Sequence, residues 1–251
     1  MKIGIIGTGS IGGTVARKLV EAGHDVRVAN SRGVDAVKDF ATKIGATPVD
    51  AHGAVAGAEV IILSIPFSAI PELPRDLLTD VPANVPVIDT GNYYPDMRDP
   101  RIPEIDDGKP ESVWVSETLG RGVVKAFNNI LAFSLAELGR PEGASDRLAV
   151  AVAGDDAEMR QIAMDLVNQT GFDPVDAGAL AESWRQQPST PAYCCDWNPA
   201  EMLEALAAAK PGAAAQKRDR LAEQFAKLGQ NPTHSEVVAS NRETNAPVLK
   251  A

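Results

Sequence analysis

KIGIIGTGSIGGTV, residues 2–15, is the stretch from which the rest of the chain can be read. Ile3, Ile5 and Ile6 make a short apolar run of strand character that leads straight into Gly7-Thr8-Gly9-Ser10-Ile11-Gly12. Ile11, Val15 and Leu19 then recur at helical spacing. Each glycine in Gly-x-Gly-x-x-Gly has a physical task at such a strand-to-helix junction. Gly7 permits the tight turn, Gly9 has no Cβ to hold a pyrophosphate away from the backbone, and Gly12 lets the helix lie close to the strand. The free N–H groups of the first helical turn then face the phosphates. A glycine-rich turn without a ligand is the competing reading. Here the strand, the helix and a second strand are all in place, and together they predict a dinucleotide site.

The second strand says which dinucleotide. The first helix is predicted to end at Ala22, with Gly23 closing it, and Asp25-Val26-Arg27-Val28-Ala29 follows as a strand. In an NAD site an acidic residue at the tip of this strand binds the ribose 2′-hydroxyl. This tip reads Asn30-Ser31-Arg32-Gly33 and carries no carboxylate. Ser31 can donate a hydrogen bond to a 2′-phosphate, and Arg32 can add a charged, bidentate contact. NADP(H) is therefore the predicted cofactor. The alternative leaves Arg32 as a solvated arginine that stacks on adenine without selecting a phosphate.

Composition bounds the rest. At 251 residues the chain suggests one large domain plus a smaller one. A formal net charge of −10 argues against nucleic acid as a partner, so local basic residues must supply any affinity for phosphate. No apolar run reaches the ~20 residues of a membrane span, and the N-terminus reads as a strand, not a signal peptide. Cys194 and Cys195 are the only cysteines and are adjacent, which is read as reduced thiols in a cytoplasmic protein. Two cysteines and three scattered histidines, His24, His52 and His234, give no metal site. His24 is read as structural, His52 and His234 as solvated.

Downstream the pattern alternates. A helix after Gly33 runs to about Ile44 and closes at Gly45, and a short strand at 46–49 and a short helix after Asp50 follow. Glu59 to Pro66 is an almost unbroken apolar strand, as expected when both faces of a parallel sheet are covered. Phe67 to Thr79 is predicted helical despite its prolines, Val85 to Asp89 is a strand, and Tyr93 to Glu111 is a polar, proline-rich irregular insertion. Ser112–Leu119 is predicted helical and Gly122–Asn128 a strand. Arg147–Gly154 and Phe172–Asp176 add a seventh and an eighth strand around a helix capped by Asp155 and Glu158. The fold class is α/β, a Rossmann-type doubly wound, mostly parallel sheet over residues 1–178. Residues 179–251 form a smaller helical C-terminal region for substrate or oligomerisation. Within it, Asn198, Pro199 and Glu201 start one helix. A second runs from the break at 210–212 to Leu228, and Thr233 with Glu236 caps a short last one. Leu221, Phe225 and Leu228 make an apolar stripe for packing, and the tail suggests a homodimer.

Four stretches resemble the NADP oxidoreductase family that includes the coenzyme F420 (deazaflavin) enzymes. They are IIGTGSIG at 5–12, NSR at 30–32, ILSIPF at 62–67, and the strand at 124–128 with the later DAGAL at 176–180. The resemblance spans residues 1 to about 180. It implies that Thr8, Ser31 and Arg32 hold the 2′-phosphate, that the backbone at Ser10 and Ile11 holds the pyrophosphate, and that Ile65, Pro66 and Phe67 lie along the nicotinamide. The tail from Trp184 onward departs from the family, and the family's further basic residue has only Lys38 as a counterpart here.

Hydride transfer needs donor and acceptor carbons at roughly 3–3.5 Å and the exclusion of water. A small carbonyl or imine also needs a proton donor, whereas a deazaflavin or flavin ring needs only a weak one. The sequence offers neither a Tyr-x-x-x-Lys pair nor a lysine within 179–187, which favours a flavin-like acceptor. Other candidate residues fall at strand ends: Ser64 and Pro66; Asp89, Thr90 and Asn92; Lys125, Asn128 and Asn129. Each has a plainer alternative: a strand stop for Pro66, a loop cap for Asp89, helix caps for Asn128 and Asn129, an ion pair for Lys125. Arg185 and Tyr193 are the tail's candidates for gripping an anionic or aromatic substrate, against ordinary surface contacts. Reduction of a small carbonyl or imine, and an NADP sensor without turnover, remain the competing functions.

Overall fold

The structure, a computed structural model, describes residues 1–245. Strand β1 (Lys2–Ile6) runs into α1 (Ser10–Glu21), then β2 (Asp25–Ala29) and α2 (Val34–Ile44), which ends at Gly45 in the left-handed region. Next come β3 (Thr47–Pro48), α3 (Ala51–Val55), β4 (Val60–Leu63) and β5 (Val87–Asp89). The insertion carries α4 (Pro103–Asp106) and is followed by α5 (Glu111–Leu119), β6 (Val124–Lys125) and α6 (Ala132–Glu137). Strands β7 (Ala149–Val152) and β8 (Asp173–Asp176) flank α7 (Ala157–Gln169). The tail holds α8 (Pro199–Ala208), α9 (Ala213–Arg218), α10 (Leu221–Lys227) and α11 (His234–Asn245).

Six parallel strands form one sheet in the order β3-β2-β1-β4-β5-β6. The chain reverses its direction of travel across the sheet between β1 and β4, so a crevice opens at their C-terminal ends. One face buries Val15 and Leu19 of α1, Val37 of α2 and Leu166 of α7 against the strands. The other buries Val55 of α3, Phe67, Tyr93 and Val115 of α5. All four residues of β4 are buried, as a strand covered on both faces requires.

Several expectations shift. Strands β7 and β8 form their own parallel pair, joined to β6 by an antiparallel bridge between Lys125 and Ala153. The predicted helix after Phe67 is a short 3-10 segment, Phe67–Glu72, because Pro71 and Pro74 lack the N–H groups a continuing helix needs. β6 stops early, since Phe127 adopts φ 59 and turns the chain. The cap of α7 is Asp156, which accepts from the N–H groups of Glu158 and Met159, while Asp155 accepts from Leu180 N. The helix expected up to Leu228 breaks into α9 and α10, α6 was not foreseen, and α11 is longer than expected. Asn198 and Glu201 do form a capping box on α8. Leu221 is buried but Phe225 is exposed. His234 is not solvated: it pairs with Asp196 at 2.8 Å and stacks on Phe133.

The tail lies across β7 and β8, where Ala192, Met202, Ala205 and Leu206 pack on Ala149, Ala151 and Val175. Among the described residues no helix is long and apolar enough to cross a membrane, and no cluster of metal-ligating side chains occurs.

Candidate functional site

A cavity of about 360 Å³ opens at the C-terminal ends of the strands. Gly9, Ser10 and Ile11 beyond β1 form one wall, with Ser64, Ile65 and Pro66 beyond β4. Thr90, Gly91 and Asn92 beyond β5 and Phe127, Asn128, Ile130, Leu131 and Ala132 beyond β6 form the next. The insertion contributes Tyr94 and Arg98, and the tail contributes Tyr193 and Cys194.

The glycines test whether a dinucleotide fits. Gly7 has φ +105, and a Cβ there would stand 2.0 Å from the Ser64 carbonyl oxygen. A Cβ at Gly12 would stand 2.1 Å from the Gly7 carbonyl oxygen, so α1 can lie this close to the β1–α1 turn only with glycine. A Cβ at Gly9 would meet nothing within 4 Å, and Gly9 lines the cavity with ordinary extended backbone (φ −74). No side chain caps the first turn of α1, which leaves its N–H groups for a ligand. A pyrophosphate fits this cradle. Gly12→Ala is therefore expected to destabilise the fold by about 1–3 kcal/mol. Gly9→Ala should keep its melting temperature while nucleotide affinity falls about tenfold or more, the equivalent of one lost hydrogen bond to a charged group. Thermal melts alongside calorimetric titration separate the two effects.

At the tip of β2, Asn30 organises the loop. Its Oδ1 accepts from Arg32 N at 2.9 Å, and its Nδ2 reaches Thr8 Oγ1 at 3.5 Å. Ser31 and Arg32 are exposed, and among the described residues the Arg32 guanidinium has no acidic partner. Thr8, Asn30, Ser31 and Arg32 thus share one edge of the crevice.

Phe67 and Asp89 lie behind the cavity wall. Phe67 is fully buried and stacks on Trp114 with ring centroids 5.1 Å apart. The Asp89 carboxylate accepts from Lys125 Nζ at 3.0 Å, Ser112 Oγ at 2.7 Å and Gly91 N at 2.8 Å. Lys125, wholly buried, also donates to the Gly91 carbonyl. The lysine is thus spent on a buried ion pair that fixes the ends of β5 and β6.

Glu111 lies close by, accepting from Tyr93 N at 3.1 Å. Burial pushes the Glu111 carboxyl up to about 7, against the opposing pull of Lys125 and Arg218, and the neighbouring Asp89 carboxylate adds a little to the rise. The sign follows. A carboxyl whose folded value exceeds its unfolded one stabilises fully below the unfolded value of 4.5, and that stability is lost as pH rises to about 7. Glu111→Gln should remove the loss. Above neutral pH the variant is expected to exceed the parent by about 3 kcal/mol, with little difference below pH ~4.5. Denaturation curves across that range check this.

Asn128 lines the cavity and is held by Gln186 twice over: its Nδ2 donates to the Gln186 backbone carbonyl at 2.8 Å, and its Oδ1 accepts from the Gln186 side-chain Nε2 at 2.9 Å. Asn128 Nδ2 also reaches Asn92 Oδ1 at 3.0 Å, tying β5, β6 and the tail together. Asn129 is buried beneath and donates to the Ala192 carbonyl at 3.2 Å. Arg185 is away from the cavity, paired with Glu182 and resting on Trp184. His24 bridges the N-terminus and Gln169. Cys194 and Cys195 are free and buried, and burial pushes the Cys195 thiol up to about 12, so neither is an activated nucleophile.

Tyr94 and Arg98 escaped the sequence reading because an irregular, proline-rich insertion has no periodicity to orient its side chains. The chain has three tyrosines, and two of them face this cavity. Their hydroxyls, 99 positions apart in sequence, meet in a hydrogen bond.

Comparison with known proteins follows the same lines. Residues 2–93 match the family described as "NADP oxidoreductase coenzyme F420-dependent". The YjhV protein of Escherichia coli (strain K12) is 55% identical over 108 residues, which is 43% of this chain and 79% of that protein. The hypothetical protein SMa0349 of Sinorhizobium meliloti shares 30% identity with a TM-score of 0.62, over 74% of this chain and 89% of its own. A protein of Arthrobacter sp. FB24, named as a candidate F420-dependent NADP reductase, shares the fold at 22% identity and a TM-score of 0.58, over 73% of this chain and 87% of its own.

Proposed function

This chain belongs to the family of coenzyme F420-dependent NADP oxidoreductases, and from that premise we propose that it passes a hydride between NADP(H) and a deazaflavin- or flavin-like acceptor. The observation that carries the acceptor class is the character of the cavity. Among the described residues its lining holds no carboxylate, histidine or lysine, its one charged group, Arg98, is engaged by Asp99, and its two phenols, Tyr94 and Tyr193, are made weaker acids by burial. A small ketone or imine calls for a strong proton donor on the wall. A conjugated ring spreads the incoming charge over its own heteroatoms and needs only a hydrogen bond.

NADPH, when bound, supplies the hydride from its nicotinamide ring. The chain's own residues hold and align it. The first-turn N–H groups of α1 receive the pyrophosphate, and Thr8, Ser31 and Arg32 the 2′-phosphate. Ser64, Ile65, Pro66 and Thr90, which line the cavity, would hold the nicotinamide. Isoleucine and proline there exclude water from the reacting face.

The test follows NADPH oxidation by absorbance with 5-deazariboflavin, FMN and a panel of carbonyls and imines. Oxidation by the ring compounds in preference to the panel supports the proposal. Oxidation by the panel alone assigns a carbonyl or imine reductase. Tight NADPH binding without any oxidation points to a sensor.

A further inference from the structure

Tyr94 and Tyr193 come from different parts of the chain, and each is fastened independently. The Tyr94 N–H donates to Asp99 Oδ2 at 2.9 Å, and Arg98, paired with the same carboxylate, lies over the Tyr94 ring at 5.1 Å. Asp99 is itself buried and also accepts from Ser68 N at 3.2 Å. On the other side, α11 grips the backbone of the Tyr193 loop carbonyl by carbonyl. Asn245 donates to Tyr193 O at 3.1 Å and Asn241 to Cys194 O at 2.8 Å. Arg242 donates to Cys195 O at 2.8 Å and to Asp196 O at 3.0 Å. Cys194 and Asp196 have φ 55 and φ 50, a left-handed backbone that non-glycine residues hold only when their surroundings fix it. These contacts fix a turn whose residues 192–195 are buried, and with it the position of the Tyr193 side chain.

Proton counting gives the pair a direction. Two phenols carry two protons, and the bond between them uses one. The second meets either the Cys194 thiol, a weak acceptor within reach of Tyr193, or the cavity. Turned to the cavity, that second proton is a hydrogen-bond donor on the wall that the pair shares with Ser64, Ile65 and Pro66. Burial raises both phenols above their ordinary range, so both stay protonated donors at working pH.

We propose that the Tyr94–Tyr193 hydroxyl pair donates the hydrogen bond that grips the acceptor, at a ring carbonyl or ring nitrogen conjugated with the carbon that receives the hydride. This rests on the function proposed above. The acceptor gains two electrons and one proton as hydride while NADPH is oxidised to NADP⁺. The charge that gathers on the conjugated heteroatom is held by the phenolic O–H and neutralised by a proton from water. The tail then has a role in the site: α11 is the brace that sets Tyr193 opposite Tyr94.

The experiment compares the intact protein with Tyr94→Phe, Tyr193→Phe and the double variant. It measures NADPH binding by calorimetry, 5-deazariboflavin binding to the NADP⁺-loaded protein by difference spectroscopy, and NADPH oxidation. Phenylalanine keeps the shape and removes only the hydroxyl. The double variant is expected to bind NADPH like the parent and 5-deazariboflavin about tenfold or more weakly, each single variant losing less. Unchanged 5-deazariboflavin affinity in the double variant overturns the pair's role and leaves the wider function standing. Loss of NADPH affinity along with it makes the pair structural and overturns the role too. An intact protein that neither binds 5-deazariboflavin nor oxidises NADPH with a ring acceptor overturns the function on which the inference rests.

Discussion

Arg32→Asp is expected to weaken NADPH binding by about a hundredfold or more, while NADH binding holds or improves. The basis is local electrostatics. Asn30 fixes the backbone of this turn through Arg32 N and Thr8, so the substitution changes the side chain without moving the loop. The guanidinium is exposed and has no acidic partner among the described residues, so its removal strands no buried charge. A hydrogen bond to a charged group is worth about 1.5–3 kcal/mol, and an aspartate in its place adds repulsion of the 2′-phosphate. Those contributions together give two to three orders of magnitude at about 1.4 kcal/mol per tenfold. Facing a free ribose, the same aspartate becomes an acceptor for the hydroxyl. Raising the salt concentration should narrow the gap, because the contact is solvent-exposed. Parallel titrations of parent and variant with both coenzymes read the exchange directly.

The second large effect concerns folding. Lys125→Met is expected to cost about 3–5 kcal/mol of stability, because it leaves Asp89 as a buried charge without its counter-ion. Both side chains are almost completely shielded, with relative exposures of 0% and 2%. Asp89 would keep the Ser112 hydroxyl and the Gly91 N–H, which soften the loss without supplying a positive charge. Pairing the change with Asp89→Asn should recover much of the stability, since a neutral amide needs no counter-ion. Arg185→Ala is the natural control. Its ion pair with Glu182 is solvent-exposed on both sides and should contribute within about 0.5 kcal/mol. Equilibrium unfolding in urea compares all of these on one scale. A Lys125→Met variant as stable as its parent would mean that Asp89 does not depend on Lys125 as its counter-ion.

Much of the nucleotide half was legible because its residues are dictated by backbone geometry. Gly7 is required by its positive φ and Gly12 by the Gly7 carbonyl five positions earlier, both local features of one strand-to-helix turn, and the unbroken apolar run at 60–63 reads as a strand covered on both faces. The helix stops at Gly23 and Gly45 and the Asn198 capping box are likewise local. The far wall of the cavity was largely illegible for the opposite reason. Tyr94 sits in an insertion shaped by side-chain bonds to Asp99 and Glu111, not by periodicity. Its partner Tyr193 is brought in by contacts from α11, 40 or more positions further on. The placement of β7 and β8 depended on a single bridge at Lys125, which no pattern in either segment announces. Phe67 shows the limit of a motif: it adjoins Pro66 in sequence, yet stacking on Trp114 turns it into the core.

The most direct measurement is a calorimetric titration of the unaltered protein with NADPH and with NADH at low salt. NADPH should bind at least about tenfold more tightly, the contribution of one charged contact to the 2′-phosphate. Equal affinity for the two coenzymes would contradict the phosphate-selecting role given to Ser31 and Arg32.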